Sequence, residues 1–119
     1  MVKTLVFGAS PNPSRYSNIA IHRLVENEIE TEAFGIRSGV VAGIQISDRL
    51  EGFHNVDTIS LYLNPKRQQE YYQTIINMKP RRVIFNPGTE NTDFQNILKE
   101  NNIKVEIACT LVLLATGQY

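Results

Sequence analysis

Residues 4–18, together with the helical pattern that follows them, constrain the fold of this chain more than any other stretch. They open with the consecutive apolar residues 5–7, a pattern typical of a strand that is covered on both faces. A polar turn rich in serine and proline starts at Gly8, and apolar side chains then recur at helical spacing from Ile21 to Val25. A strand, a tight polar turn and a helix in this order predict the first unit of a nucleotide-binding α/β sheet.

The polar turn, residues 8–18, carries groups that bind phosphate. A helix that starts just after a strand presents unpaired N–H groups and the positive end of its dipole to an anion. Ser10, Ser14 and Ser17 add hydroxyl donors, and Arg15 adds a permanent positive charge. The sequence therefore predicts a ligand with a phosphate group at this turn.

The rest of the chain alternates apolar runs with helical patterns. The predicted strands are residues 3–7, 32–34, 58–63, 82–85 and 104–107, and residues 44–46 form either a short strand or an extended piece. The predicted helices are residues 17–27, residues 65–78, a helix opened by a Thr92/Gln95 capping box, and a short buried helix at 109–115, while residues 36–43 are expected to form a loop. This alternation predicts one domain, residues 1–119, with a Rossmann-like, doubly wound and mainly parallel sheet of about five strands and helices on both faces.

Right-handed crossovers bring the loops after the strands to one edge of such a sheet, where ligands bind. Two of these loops have distinctive sequences. Asn64 and Pro65 follow the central strand, and Asn86, Pro87 and Gly88 follow the next one. We expect both loops to line the ligand site together with the polar turn.

The type of nucleotide is narrowed by motifs that the chain lacks. Of the dinucleotide motif G-x-G-x-x-G only Gly8 is present, with Ser10 and Pro13 in place of the other two glycines, and no P-loop motif occurs. The second strand leads into Arg37 and Ser38 rather than into the carboxylate that binds the ribose of NAD. A guanidinium and a hydroxyl suit a ribose that carries a phosphate, which favours coenzyme A or NADP over NAD.

The polar turn also carries a family resemblance. Gly8-Ala9-Ser10-x-Asn12-x-x-Arg15-Tyr16-x-Asn18 resembles the first-loop signature of the small stand-alone coenzyme A-binding proteins, which are related to the N-terminal domain of succinyl-CoA synthetase α subunits. Asn64-Pro65-Lys66 and Phe85-Asn86-Pro87-Gly88-x-Glu90-Asn91 resemble two later turns of that family, and Cys109 lies where the family often has a cysteine. The resemblance covers essentially the whole chain, with departures at Ser17, where glycine is common, and in the segment that leads to Arg37.

The resemblance implies coenzyme A or an acyl-CoA as the ligand. The diphosphate would meet the N–H groups of Ala9 and Ser10 and the helix start at Ser17 and Asn18. Arg37 would lie near the ribose phosphate, and the pantetheine arm would pass the two later turns. The expected binding residues are Gly8, Ala9, Ser10, Asn12, Ser14, Arg15, Tyr16, Ser17, Asn18, Arg37, Asn64, Pro65, Asn86, Pro87 and Gly88.

Composition narrows the classes of partner. Twelve basic and twelve acidic residues give a formal net charge of zero, and this balance favours neither nucleic acid nor a membrane surface. The single cysteine, Cys109, excludes an internal disulfide and is expected to pack as a small hydrophobe, so a cytoplasmic location is expected. We expect no signal peptide and no membrane span, because no apolar run is long enough. His22 and His54 lack the spacing that predicts a metal site.

Three functions from different classes remain open. The first is non-catalytic binding of coenzyme A or an acyl-CoA in a regulatory or carrier role, because no set of nucleophile, base and orienting group can be assembled. The second is an NADP-binding, oxidoreductase-like protein, which Arg37 and Ser38 favour. The third is a subunit that docks onto a partner enzyme or forms a homodimer, which the apolar run 111–114 favours.

Overall fold

A computed structural model describes residues 2–119 and contains one seven-stranded sheet. The strands lie in the order β3-β4-β2-β1-β5-β6-β7, and every neighbouring pair is parallel except β3 and β4. Their bounds are β1 Lys3–Phe7, β2 Glu30–Phe34, β3 Gly39–Val41, β4 Ile44–Ser47, β5 Thr58–Leu61, β6 Arg82–Phe85 and β7 Lys104–Ile107. The predicted Rossmann-like, mainly parallel sheet is confirmed, with two more strands than the five expected.

Helices cover both faces of the sheet, as the doubly wound fold requires. Their bounds are α1 Tyr16–Glu26, α2 Pro65–Gln68, a 3₁₀ turn Gln69–Tyr71, α3 Tyr72–Met78, α4 Thr92–Glu100 and α5 Thr110–Ala115. One core cluster joins the sheet to α3 and α4 through Ile75, Phe94 and Leu98. A second cluster on the other face joins it to α1 through Ile21 and Leu24, with Leu114 of α5 beside it.

Three local predictions are wrong in detail. The expected loop 36–43 contains β3, which pairs with β4 as a hairpin. Ala42 and Gly43 form its tight turn, and both have positive φ (51° and 80°), as this type of two-residue turn requires. The helix predicted over 65–78 is interrupted by the 3₁₀ turn. Asn91, not a Thr92/Gln95 pair, caps α4, because its side-chain oxygen accepts from the Phe94 N–H.

The order of the strands places a switch point beside β1. From this central strand the chain moves outward to β2 on one side, and it later returns to β5 on the other. A crevice opens at such a point, at the carboxyl ends of the strands.

None of the helices within residues 2–119 has the length and the apolar character that crossing a membrane requires.

Candidate functional site

A cleft of about 590 Å³ lies over the carboxyl ends of β1, β2, β5 and β6. Eleven of the fifteen predicted binding residues line it: Gly8, Ala9, Ser10, Asn12, Arg15, Tyr16, Ser17, Arg37, Asn64, Pro87 and Gly88. The cleft is also lined by residues that the sequence analysis did not select, namely Pro11, Ile36, Tyr62, Leu63, Arg67 and Thr89. The structure therefore brings the polar turn, the loop after β2 and the two later turns together at the switch point.

Close backbone contacts hold the start of the polar turn against the ends of β2 and β5. The N–H groups of Gly8 and Ala9 both donate to the carbonyl of Phe34, at 2.9 and 2.8 Å. A Cβ on Gly35 would lie 2.1 Å from the carbonyl oxygen of Ala9. The loop after β2 can therefore lie this close to the polar turn only because residue 35 is glycine. Gly8 has φ +98°, and a Cβ there would lie 3.1 Å from the side chain of Leu63. The Ala9 N–H, which was predicted to bind diphosphate, is thus used inside the protein.

The first turn of α1 lacks the capping that most helices have. Arg15 occupies the N-cap position without a side-chain hydrogen bond to the helix, and the first turn holds no acidic residue. Among residues 2–119, the N–H groups of Ser10, Tyr16 and Ser17 have no hydrogen-bond partner, and all three residues line the cleft. Unpaired donors at a helix N-terminus with its positive dipole form an anion-binding arrangement.

Side chains of the polar turn hold this arrangement in shape. Asn12 Oδ1 accepts from the N–H and the hydroxyl of Ser14, at 3.0 and 2.8 Å. Ser10 Oγ accepts from the Asn12 N–H, and Asn18 Nδ2 donates to the Ser10 carbonyl at 3.0 Å. Asn18 is buried, and neither it nor Ser14 lines the cleft. Both of these predicted ligand contacts are therefore placed as supports of the turn.

Gln68, which is completely buried, connects the two later turns. Its Nε2 donates to the carbonyls of Leu63 and Thr89, each at 2.8 Å, and its Oε1 accepts from Asn91 Nδ2 at 2.9 Å. Asn64 caps α2, since its side-chain oxygen accepts from the N–H at position 67. These bonds set the width of the cleft between the loops after β5 and β6.

Asn86 was predicted to contact the ligand, but its side chain lies inside the protein. It is 1% exposed, its Nδ2 donates to Ser60 Oγ and to the Leu61 carbonyl at 3.0 Å, and its Oδ1 accepts from the Thr110 N–H at 2.8 Å. The amide therefore joins the ends of β5 and β6 to the start of α5. Pro65, another predicted contact, also lies outside the lining of the cleft.

Three guanidinium groups make the cleft electropositive. Arg15, Arg37 and Arg67 line it, and among the described residues the lining includes no aspartate or glutamate. None of the three forms a salt bridge with any residue in the described range 2–119. Arg67 was missed by the sequence analysis, although its place in the helix turn that follows Asn64 could have pointed to it.

Titratable groups near the cleft differ in their position. Tyr62 lines the wall, and burial raises the pKa of its phenol to about 12, so the side chain is neutral at physiological pH. The half-buried Cys109 precedes α5 and does not line the cleft. His22 and His54 are exposed and lie outside it. In the part of the chain that the structure describes, no group of three or more potential metal ligands forms.

A doubly wound sheet with a cleft of unpaired N–H groups and arginines at its switch point defines a Rossmann-like protein of the nucleotide-binding type. A family model described as CoA binding domain matches residues 2–115. The chain therefore belongs to the CoA-binding domain family, and the predicted resemblance is confirmed.

Several solved structures are similar to this chain. One that is described as an uncharacterized protein is 44% identical, has a TM-score of 0.96, and aligns over 100% of this chain and 98% of its own. A protein from Thermus thermophilus is 20% identical with a TM-score of 0.86, over 99% of this chain and 90% of its own. A hypothetical protein from Pyrococcus horikoshii is 23% identical with a TM-score of 0.82, over 92% of this chain and 78% of its own. The last two share the fold. A comparison with proteins of curated function gives no significant match.

Proposed function

We propose that the protein binds coenzyme A or an acyl-CoA, with the diphosphate on the polar turn. The observation that carries the proposal is the uncapped start of α1, where the N–H groups of Ser10, Tyr16 and Ser17 are unpaired and the three residues line an electropositive cleft. A diphosphate offers several acceptor oxygens and negative charge to such a site. The CoA-binding domain family supports this class of ligand.

The remaining parts of coenzyme A fit the other loops. Arg37 follows β2, which is where the ribose of a nucleotide lies in doubly wound folds, and we place the 3′-phosphate near its guanidinium. The pantetheine arm would then run between Asn64 on one side and Pro87 and Gly88 on the other. Arg67 on α2 supplies a further cation along this path.

We propose that binding occurs without catalysis. The lining of the cleft holds no carboxylate, imidazole or thiol, and Tyr62 has a pKa too high for it to act as a base near neutral pH. A regulatory or carrier role follows for a protein that holds an activated acyl carrier without changing it.

An NADP-binding protein is the alternative, because the 2′-phosphate of NADP would also suit Arg37 and Ser38. Two glycines of the dinucleotide motif are missing, and this counts against NADP. The second glycine lets the backbone approach the diphosphate, and the third allows close packing of helix and strand. Coenzyme A has a pantetheine arm that NADP lacks, so the relative affinities of the two ligands distinguish the two proposed functions.

Isothermal titration with coenzyme A, dephospho-coenzyme A and NADP tests the proposal. We expect saturable binding of coenzyme A and at least about tenfold weaker binding of the dephospho form, because one charge-assisted hydrogen bond contributes about 1.5–3 kcal/mol. Arg37→Gln should remove the difference between the two forms. Arg49→Gln is the matched control, because Arg49 is exposed and lies outside the cleft. No binding of coenzyme A, or tighter binding of NADP, would contradict the proposal.

A further inference from the structure

Strand β7 leaves one edge of the sheet open. It pairs with β6 on one side, where the N–H groups of Lys104 and Ala108 donate to the carbonyls of Arg81 and Phe85. Backbone groups alternate in direction along a parallel strand, so the N–H and C=O groups of Val105 and Ile107 point away from the sheet. Open edges of this kind can pair with a strand from another chain.

The side chains of β7 are unusual for a protected edge. Ile107 is 55% exposed, and Val105 next to it is half-buried against the core cluster of α3 and α4. The strand is short and carries the exposed Lys104, two features of protected edges, but it holds no proline and no bulge, which natural edges also use against pairing. Its apolar side chains lie on one face, and Lys104 and Glu106 lie together on the other, 3.4 Å apart.

We propose that β7 pairs in antiparallel fashion with β7 of a second copy of this chain, around a two-fold axis at Val105. A two-fold axis requires each contact to occur twice. In this register Lys104 lies opposite the partner's Glu106, and Glu106 lies opposite the partner's Lys104. Val105 then exchanges backbone hydrogen bonds with the partner's Val105, which satisfies groups that are open in the single chain.

Charge selects this register over its neighbour. Moving the axis to Glu106 would place two carboxylates directly opposite each other, which is unfavourable across an antiparallel pair. The carboxylate is held in place by Arg82, whose guanidinium donates to it at 3.0 Å from a side chain that is 4% exposed. Although burial opposes ionisation, the Arg82 hydrogen bond lowers the pKa of Glu106. On the other face, Ile107 would lie opposite the partner's Ile103, which is 5% exposed, and would contact the partner's half-buried Val105 on the diagonal.

The contact is short, so the dimer should be weak. A four-residue strand and its flanking side chains fall below the roughly 1,200–2,000 Å² that stable interfaces bury, which indicates a dissociation constant in the micromolar range. Sedimentation velocity at about 1 to 500 µM should therefore show a monomer at the low end and a dimer at the high end. A monomer at every concentration overturns the proposal.

Matched variants test which edge is used. Lys104→Glu should raise the dissociation constant at least about tenfold, because two attractive pairs become repulsive, while Lys99→Glu makes the same charge change on α4 and should leave it unchanged. Ile107→Lys should act like Lys104→Glu. Val40→Lys is its control, since Val40 is 65% exposed on β3 at the opposite edge of the sheet. Dimers that survive both β7 variants, or that dissociate equally with the controls, overturn the proposal.

Hydrogen exchange gives a readout that does not depend on substitution. The amides of Val105 and Ile107 should exchange freely in dilute protein and become protected as the dimer forms, whereas the Lys104 amide should be protected at both concentrations. Protection that does not change with concentration, in a sample where sedimentation shows the dimer, would place the interface elsewhere.

Discussion

Replacing Gln68 with leucine should weaken both the fold and the cleft. The side chain is fully buried, and its Nε2 makes two hydrogen bonds of 2.8 Å to the carbonyls of Leu63 and Thr89. Leucine has a similar size but offers no donor, so the variant leaves both carbonyls without their partner. At about 1–2 kcal/mol for each unsatisfied group, the free energy of unfolding should fall by about 2–4 kcal/mol. Asn91 keeps its bond to the Tyr72 hydroxyl and adds little to this cost.

Urea unfolding followed by circular dichroism measures this change, and titration with coenzyme A measures its effect on the cleft. Binding should weaken in the variant because Gln68 sets the spacing between two of the lining loops. Gln73→Leu is the matched control, since Gln73 is exposed and bonds only to Asn77 on its own helix. A loss below about 1 kcal/mol, or a loss equal to that of the control, would refute the reasoning that the buried amide holds the loops together.

Two further predictions follow from the geometry of the site. Gly35→Ala places a Cβ 2.1 Å from the Ala9 carbonyl oxygen, so the free energy of unfolding in urea should fall by about 1–3 kcal/mol. The displaced polar turn should also weaken coenzyme A binding at least about tenfold. Unchanged binding in a folded variant would contradict this prediction. Because burial raises the pKa of Tyr62 from 10.0 to about 12, its phenol should contribute stability that is present below pH 10 and is lost as the pH rises towards 12. Tyr62→Phe should therefore reduce the loss of stability between those pH values, measured by urea unfolding, and an identical pH profile in the variant would count against this.

The sequence predicted the sheet well where apolar runs are uninterrupted. The bounds of β1, β6 and β7 agree with the expectation, because short runs between turn residues have few alternatives. Strand β3 was missed because its three residues are too few to show an alternation of apolar and polar side chains. Its pairing with β4 depends on the tight turn that joins the two strands. The break between α2 and α3 was missed for a similar reason, since no glycine or proline marks it.

The sequence predicted which loops line the cleft better than it predicted which side chains face it. Position at a strand end identified eleven residues that line the cleft, but it could not tell which polar groups are used inside the protein. Asn18 and Asn86 look like ligand contacts in sequence, yet the Asn18 amide bonds to Ser10 within the polar turn and the Asn86 amide bonds to the end of β5. Whether an amide faces a ligand or the backbone depends on distances between segments that are far apart in the chain.

The distribution of charge explains how a chain of zero net charge can build an anion site. Most of the ion pairs involve residues at or near the amino-terminal ends of the strands, away from the cleft: Lys3–Glu30, Lys3–Glu32, Arg81–Asp57, Arg82–Glu106 and Lys104–Glu106. At the carboxyl ends, neutral amides make most of the side-chain bonds that hold the loops in place, and one carboxylate takes part, since Glu90 accepts from the N–H of Gly88 at 2.9 Å. Arg15, Arg37 and Arg67 therefore remain available, and the potential of the cleft is positive although the sum of charges is zero. A fold that used aspartate in place of Asn12 or Asn64 would keep the same turns and lose much of this field.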